Sequence, residues 1–253
     1  MTLYDPATER LDPINESLSL IQIKKGLTFG TDSYLLSAFA KPSPAGTCVE
    51  LGGGTGVVSL LMAARRKFAR IHSVEIQPPY ASLIGRNAAL NDLSDVIRSV
   101  CADVRDVQPS DFGGEANAVV SNPPYMRQNC GFDNAAPDMN AARREENGTI
   151  DDFVAAAARL LRYGGTFSVV YRPDRMAELF SSLRANRLEP KRLILVYPTA
   201  ADKPCLILCE AKKGAAPSLA VSRPLIIYRD KAAGVYTDDM QAVYDNFTLE
   251  HLF

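Results

Sequence analysis

From residue 47 onward, short β-branched apolar runs alternate with stretches of helical periodicity, and this alternation leaves few architectures open. Strands that recur after helical crossovers pair in parallel, and a parallel sheet needs helices on both faces to bury it. The apolar runs are TCVEL, IHSVEI, VIRSVCAD, NAVVS and GGTFSVVY; the helical stretches are GVVSLLMAARR, PPYASLIGRNAAL, TIDDFVAAAARLL and RPDRMAELFSSLRAN. Thr149 is the expected cap of the third helix, and Gly164 and Gly165 its expected stop. After Asn186 the pattern changes, because LEPKRLILVYP and PCLILCEAKK follow one another with no helix between them. The prediction is therefore an α/β fold: a seven-stranded, mostly parallel sheet ending in an antiparallel hairpin, with helices on both faces. Before residue 47 one helix is predicted over TDSYLLSAFA, capped by Thr31 or Asp32. Residues 1–46 are thus expected to form an extension packed on a domain of residues 47–253, whose last segment wraps the surface.

With 253 residues the chain can bury one large core. Its net charge of -1 argues against a generally basic nucleic-acid binder but leaves room for a local positive patch. Arg65, Arg66, Lys67 and Arg70 form the densest cationic cluster and follow a helical run, as charge complementing a helix C-terminus would. The N-terminus has no signal-peptide core, and no apolar run is long enough to cross a bilayer, so a cytoplasmic protein with no membrane partner is expected. The five cysteines include no C-x-x-C pair and read as reduced core residues, with no metal site. With only His72 and His251 present, a histidine base is not expected.

The stretch VELGGGTGVVSLL is a strand, a glycine turn and a helix start. Gly52, Gly54 and Gly56 allow a tight turn and a close approach to a ligand, and the helix N-terminus offers unpaired N–H groups. Glu50, in the strand that leads into the turn, is counted among the cofactor-binding residues. Glu75 ends the next strand, where an acid suits ribose hydroxyls, and Asp103 ends the one after. Val57 stands where a dinucleotide fingerprint wants Gly or Ala, and no second nucleotide-binding half follows, so a nicotinamide cofactor is the weaker reading.

The fourth strand ends in Asn122, Pro123, Pro124 and Tyr125, and the segment from Met126 to Gly148 is far longer than an ordinary strand-to-helix link. Together, VELGGGTG, Glu75 and NPPY resemble the class I S-adenosylmethionine-dependent methyltransferases, which have a Rossmann-like sheet; NPPY is similar to the motif of those that methylate exocyclic amino or amide nitrogens. GLTFGTDSYLLSAF, the ARRE of the long segment, LLRYGGTFSVVYRP and SRPLIIY resemble more narrowly the bacterial family that methylates N6 of adenine 37 in valine tRNA. That likeness covers most of residues 20–230, although the family more often carries a small or cysteine residue where Gly53 stands, a difference not expected to impair binding.

The resemblance implies S-adenosylmethionine as cofactor and S-adenosylhomocysteine as product. It puts Gly52, Gly54 and Gly56 under the methionine part and ribose, Glu75 on the ribose hydroxyls, Asp103 on the adenine amine, and Val104 in a backbone contact. Thr31 and Asp32 would lie near the methionine end. An RNA partner, tRNA above all, follows from the same likeness.

An aromatic amine is a poor nucleophile because its lone pair is delocalised into the ring. Two acceptors holding its N–H bonds out of plane would free that pair, and the Asn122 side-chain oxygen and the Pro123 carbonyl can supply them. Prolines fix φ and donate nothing, so Pro123 and Pro124 would hold a carbonyl rigidly toward the site, with Tyr125 stacking on the base. Arg127, Arg143 and Arg144 are candidates for phosphate contacts. Release-factor glutamine methyltransferases share NPPY, and rRNA guanine-N2 enzymes carry a near variant; a non-catalytic nucleotide- or RNA-binding module is the alternative from another class.

Overall fold

The computed structural model describes residues 4–26, 28–123, 148–246 and 248–253. Its centre is a sheet in the order β8-β9-β7-β6-β3-β4-β5, in which β3 (Ser43–Leu51), β4 (Phe68–Glu75), β5 (Ile97–Cys101), β6 (Ala116–Ser121) and β7 (Leu161–Tyr171) run parallel. β8 (Leu188–Tyr197) and β9 (Leu206–Lys213) complete it as the expected antiparallel hairpin. The seven predicted strands are all present. Two pieces of two residues each, β10 (Ala220–Val221) and β11 (Leu225–Ile226), add short parallel pairings along β8.

Helix positions follow local chemistry. α2 (Val57–Ala64) begins where the glycine turn ends, and α3 (Pro78–Leu90) begins with a proline, whose missing N–H costs nothing in a first turn. α4 (Ile150–Leu160) carries the predicted Thr149 cap: Thr149 Oγ1 accepts from the Asp152 N–H at 3.4 Å, and Asp152 accepts from the Thr149 N–H at 2.8 Å. α5 (Met176–Ala185) follows β7. Val49, Leu51, Leu61, Ile71, Val119, Val154, Phe167 and Ile194 are fully buried between the layers.

Four expectations are corrected. The helix α1 (Thr31–Phe39) is preceded by Gly30 as its N-cap, without a side-chain cap; Asp32 lies inside the first turn, where one carboxylate oxygen takes the Ser33 N–H and the other takes Asn122. The stop of α4 does not fall at Gly164 and Gly165: the chain passes at Leu161 straight into β7, and Gly164, at φ +76, lies where the β6–β7 register shifts. Lys67 does not complement the helix it follows; it is buried, and its ammonium donates to the carbonyls of Ser37, Ala38 and Ala40 at 2.7, 3.0 and 2.8 Å, closing the C-terminal end of α1. Burial pulls this amine down to about 8, so it remains mostly charged at neutral pH. Finally, Cys48, Cys101 and Cys209 are free thiols, with Cys101 exposed, whereas Cys205 is disulfide-bonded.

The N-terminal segment contains more than a helix. β1 (Glu9–Pro13) and β2 (Ser19–Ile23) form an antiparallel hairpin that packs Ile21 against Tyr80 and Leu83 of α3, and Arg86 clasps Glu9 at 2.7 and 2.9 Å. A boundary drawn at residue 46 falls inside β3, and α1 contributes Leu35, Leu36 and Phe39 to the main core. At the other end, the hairpin of β12 (Tyr228–Asp230) and β13 (Val235–Tyr236) leads into α6 (Asp238–Asn246), and Met240, Val243, Leu249 and Leu252 are buried. Arg192 lies 4.8 Å from the Phe39 ring and 4.3 Å from the Phe253 ring and pairs with Glu250 at 2.8 Å. The C-terminal segment therefore seals the core as well as wrapping it. No helix among the described residues is long and apolar enough to cross a membrane.

Candidate active site

Parallel strands bring their C-terminal ends to one edge, and a crevice opens where successive crossovers diverge. Here β3 and β6 are neighbours, and the Ser121 hydroxyl donates to the Leu51 carbonyl at 2.8 Å, fixing the glycine turn and Asn122 in register. Gly52, Gly54 and Gly56, on the turn after β3, all have positive φ. A side chain at Gly54 would meet nothing within 4 Å, so this part of the turn faces open space, as a cradle for a ligand requires.

Glu75, at the end of β4, is nearly enclosed, at 5% exposure. Its Oε2 accepts from the Gly54 N–H at 2.9 Å and its Oε1 from the Gln77 N–H at 3.0 Å. Each carboxylate oxygen has a second lone pair, so Glu75 can stiffen the turn and still accept from a diol. Glu50 lies beneath: its Oε2 accepts from the Ser73 hydroxyl at 2.7 Å and from Ser59. Burial raises the Glu50 carboxyl to about 7; the two serine hydroxyls oppose the rise and the charge of Glu75 adds to it. Gly53 is the complement of that arrangement, since a Cβ there would stand 2.1 Å from Ser73 Oγ and 2.9 Å from Ile84 Cδ1. A residue larger than glycine at this position would therefore press on Ser73 in this chain.

Asn122 follows β6, and its Nδ2 donates to Asp32 Oδ2 at 3.0 Å. Asp32 is buried in the first turn of α1, and its Oδ1 accepts from the Ser33 N–H at 3.0 Å. With its nitrogen committed to a carboxylate, the Asn122 amide is oriented, and its oxygen is the end left to accept. Thr31, next to Asp32, hydrogen-bonds Tyr244 of α6.

Asp103, beyond β5, is gripped by Arg105, whose Nε lies 2.9 and 3.0 Å from its two oxygens; the Arg105 side chain holds the carboxyl below its usual value. Val104 is buried, and its carbonyl accepts from Arg159 at 2.9 Å, which leaves the N–H as the group able to face a ring nitrogen. Pro124, Tyr125, Arg127, Arg143 and Arg144 lie outside the described residues, as does most of the long segment after NPPY. His72 is buried in β4 against Phe112, and His251 faces Asp239 at 3.2 Å. Among the described residues no cluster of His, Cys, Asp and Glu could hold a metal.

Several side chains that shape the cleft carry no sequence signal. Ser59 and Ser73 are ordinary polar residues in apolar runs until the fold closes them on Glu50. Asn87, fully buried on α3, accepts from the Ile21 N–H at 2.7 Å and donates to the carbonyls of Ile21 and Thr55 at 3.1 and 2.9 Å, tying the N-terminal hairpin to the glycine turn.

This sheet order, with a glycine turn, an acid closing the second strand and an oriented asparagine at the fourth, defines a Rossmann-like methyltransferase cleft. Solved structures agree on the fold. A predicted O-methyltransferase from Agrobacterium tumefaciens matches with TM-score 0.67 at 21% identity over 86% of this chain and 97% of its own. The tRNA m1G37 methyltransferase of M. jannaschii gives 0.55 at 16% identity over 83% and 58%. The methyltransferase small domain family matches residues 23–186, and the chain belongs to it. It is thus an S-adenosylmethionine-dependent methyltransferase. Among curated relatives, a protein of Porphyromonas gingivalis named tRNA1(Val) (adenine(37)-N6)-methyltransferase is 32% identical over 72% of each chain. A Shewanella baltica protein of the same name is 26% identical over 89% of this chain and 94% of its own.

Proposed function

We propose that the chain methylates the exocyclic N6 amine of an adenine in tRNA, and that adenine 37 of a valine tRNA, the substrate named for its relatives, is the target. The observation that carries this reading is the Asp32–Asn122 hydrogen bond, which commits the Asn122 nitrogen and leaves its oxygen to accept. When bound, S-adenosylmethionine supplies a sulfonium-activated methyl group. The residues present suit it: Gly54 leaves room, Glu75 has free lone pairs for the ribose, and Asp103 with the Val104 N–H suits an adenine edge. Glu50, enclosed by Ser59 and Ser73, braces the turn from below.

The protein's own task is to hold a planar amine. Asn122 Oδ1 and the Pro123 carbonyl accept its two N–H bonds, favouring pyramidal nitrogen and stabilising the positive charge that develops there. Alignment of this kind is worth on the order of 7 to 11 kcal/mol in well-oriented cases. The proton is lost afterwards, and the acceptors already in place require no strong base. Pro124 would stiffen the turn, Tyr125 would stack on the base, and Arg127, Arg143 and Arg144 would meet phosphates.

Two measurements test the reading. Incubation with S-adenosylmethionine and unmodified tRNA, followed by mass spectrometry of the nucleosides, is expected to give N6-methyladenosine; methylation of guanine N2 or of a protein glutamine instead would redirect the assignment. Asn122→Ala is expected to lower turnover roughly 100-fold or more, on the scale of removing one preorganised polar group, with cofactor affinity little changed. Unaltered turnover would remove Asn122 from the chemistry.

A further inference from the structure

The cofactor reading leaves the one cation of α4, Arg159, unused. Arg159 stands near the end of that helix and points its guanidinium at the segment following Asp103. Nε donates to the Val107 carbonyl at 2.9 Å, and one terminal nitrogen donates to the carbonyls of Val104 and Arg105 at 2.9 and 3.1 Å. A planar fork with fixed donors holds three carbonyls in a defined arrangement, which a flexible point charge does not. Asp103 and Val104, the residues assigned to the adenine edge, sit at the start of that segment.

The same helix touches the opposite end of the cleft. Phe153, one turn into α4, is the nearest neighbour a side chain at Gly52 would meet, at 3.3 Å. Phe153 and Arg159 are six residues apart in the sequence, about 9 Å along a helix axis. α4 thus spans the two loops: an aromatic ring backs the glycine turn, and a guanidinium grips the segment beyond β5.

We infer that Arg159 is a positioning residue for base recognition in the cofactor site, holding residues 104–107 so that Asp103 and the Val104 N–H face an adenine rather than another purine. The inference rests on the assignment of Asp103 and Val104 to the adenine. Removing the fork leaves three carbonyls without their donor and lets the loop relax, so the loss falls on base selection and not on the methyl end.

The test uses equilibrium binding by calorimetry of the full chain with S-adenosylhomocysteine and with S-inosylhomocysteine, in which hypoxanthine replaces adenine. Wild type is expected to prefer the adenine compound. In Arg159→Ala that preference is expected to fall by roughly 10-fold or more, the scale of one or two lost hydrogen bonds. Turnover at saturating cofactor is expected to stay within about threefold, because uniform binding is what has been lost. Arg159→Lys, which can reach some of the carbonyls, is expected to recover part of the preference, and it carries the comparison if the alanine variant does not fold. Asp103→Asn tells the two ideas apart. If it loses the preference while both Arg159 variants keep it, Arg159 is structural support only and the inference is overturned. If Asp103→Asn also keeps the preference, the adenine assignment itself falls, and this inference with it.

Discussion

Gly53→Ala isolates the packing beneath the glycine turn. Gly53 is not in the left-handed region of φ, so alanine meets no backbone penalty and the cost is steric. The new methyl would stand 2.1 Å from Ser73 Oγ, well inside any real contact, and 2.9 Å from Ile84 Cδ1, the flexible end of a side chain. Ser73 is fully buried and must rotate, withdrawing one of the two hydroxyls that serve Glu50. A hydrogen bond to a charged or half-charged acid contributes about 1.5 to 3 kcal/mol, and overpacking a tight site costs about 1 to 3, so Gly53→Ala is expected to destabilise by roughly 3 to 6 kcal/mol. At about 2 to 4 °C per kcal/mol for a chain of this size, the melting temperature falls by roughly 6 to 24 °C. Ser73→Ala alone loses the hydrogen bond without the clash. In that background Gly53→Ala is expected to cost less than about 1 kcal/mol, since only Ile84 must yield, giving a coupling of at least about 2 kcal/mol. Urea unfolding of the four proteins, followed by circular dichroism, measures the cycle. Additivity to within about 0.5 kcal/mol would refute the claim that Gly53 exists to house the Ser73 hydroxyl.

Further perturbations address single residues. Because Glu50 is raised from 4.5 to about 7, the native state binds more protons than the unfolded state in that window, and its contribution to stability falls as pH rises through it. Glu50→Gln is therefore expected to flatten the pH dependence of stability between about 4.5 and 7, removing a variation on the order of 3 kcal/mol; denaturation curves that superimpose with wild type across the window would contradict this. Glu75→Ala removes the acceptor for the Gly54 N–H together with the proposed ribose contact, and a loss of roughly 100-fold or more in S-adenosylhomocysteine affinity by calorimetry is expected. Lys67→Met strips three carbonyls at the end of α1 of their donor and is expected to cost about 2 to 4 kcal/mol in urea unfolding.

Elements whose formation depends on local pattern could be read from the residues alone. The parallel strands and their helices follow from β-branched runs and helical periodicity, and the Thr149 cap from a hydroxyl three residues before an acid. The hairpin of β1 and β2 escaped notice because ERLDP and SLIQI are short and take their stability from α3, far along the chain. The cap of α1 was misread for a related reason: Asp32 has the right chemistry for a cap, but it lies inside the first turn, and a partner ninety positions away takes one of its oxygens. Lys67 shows the same limit, since a cation after a helix looks like that helix's complement until a tertiary contact hands it to another. In the site, residues that end strands were visible through the topology, whereas Ser59, Ser73, Asn87 and Arg159 act through contacts that no spacing announces.

Asn87 carries a practical consequence. One amide joins the backbone of Ile21 to the carbonyl of Thr55, so the amino-terminal hairpin and the glycine bend share a rivet. Anyone who trims, swaps or loosens those first two strands is also disturbing the bend proposed to hold the nucleoside, however remote the edit looks on a linear map.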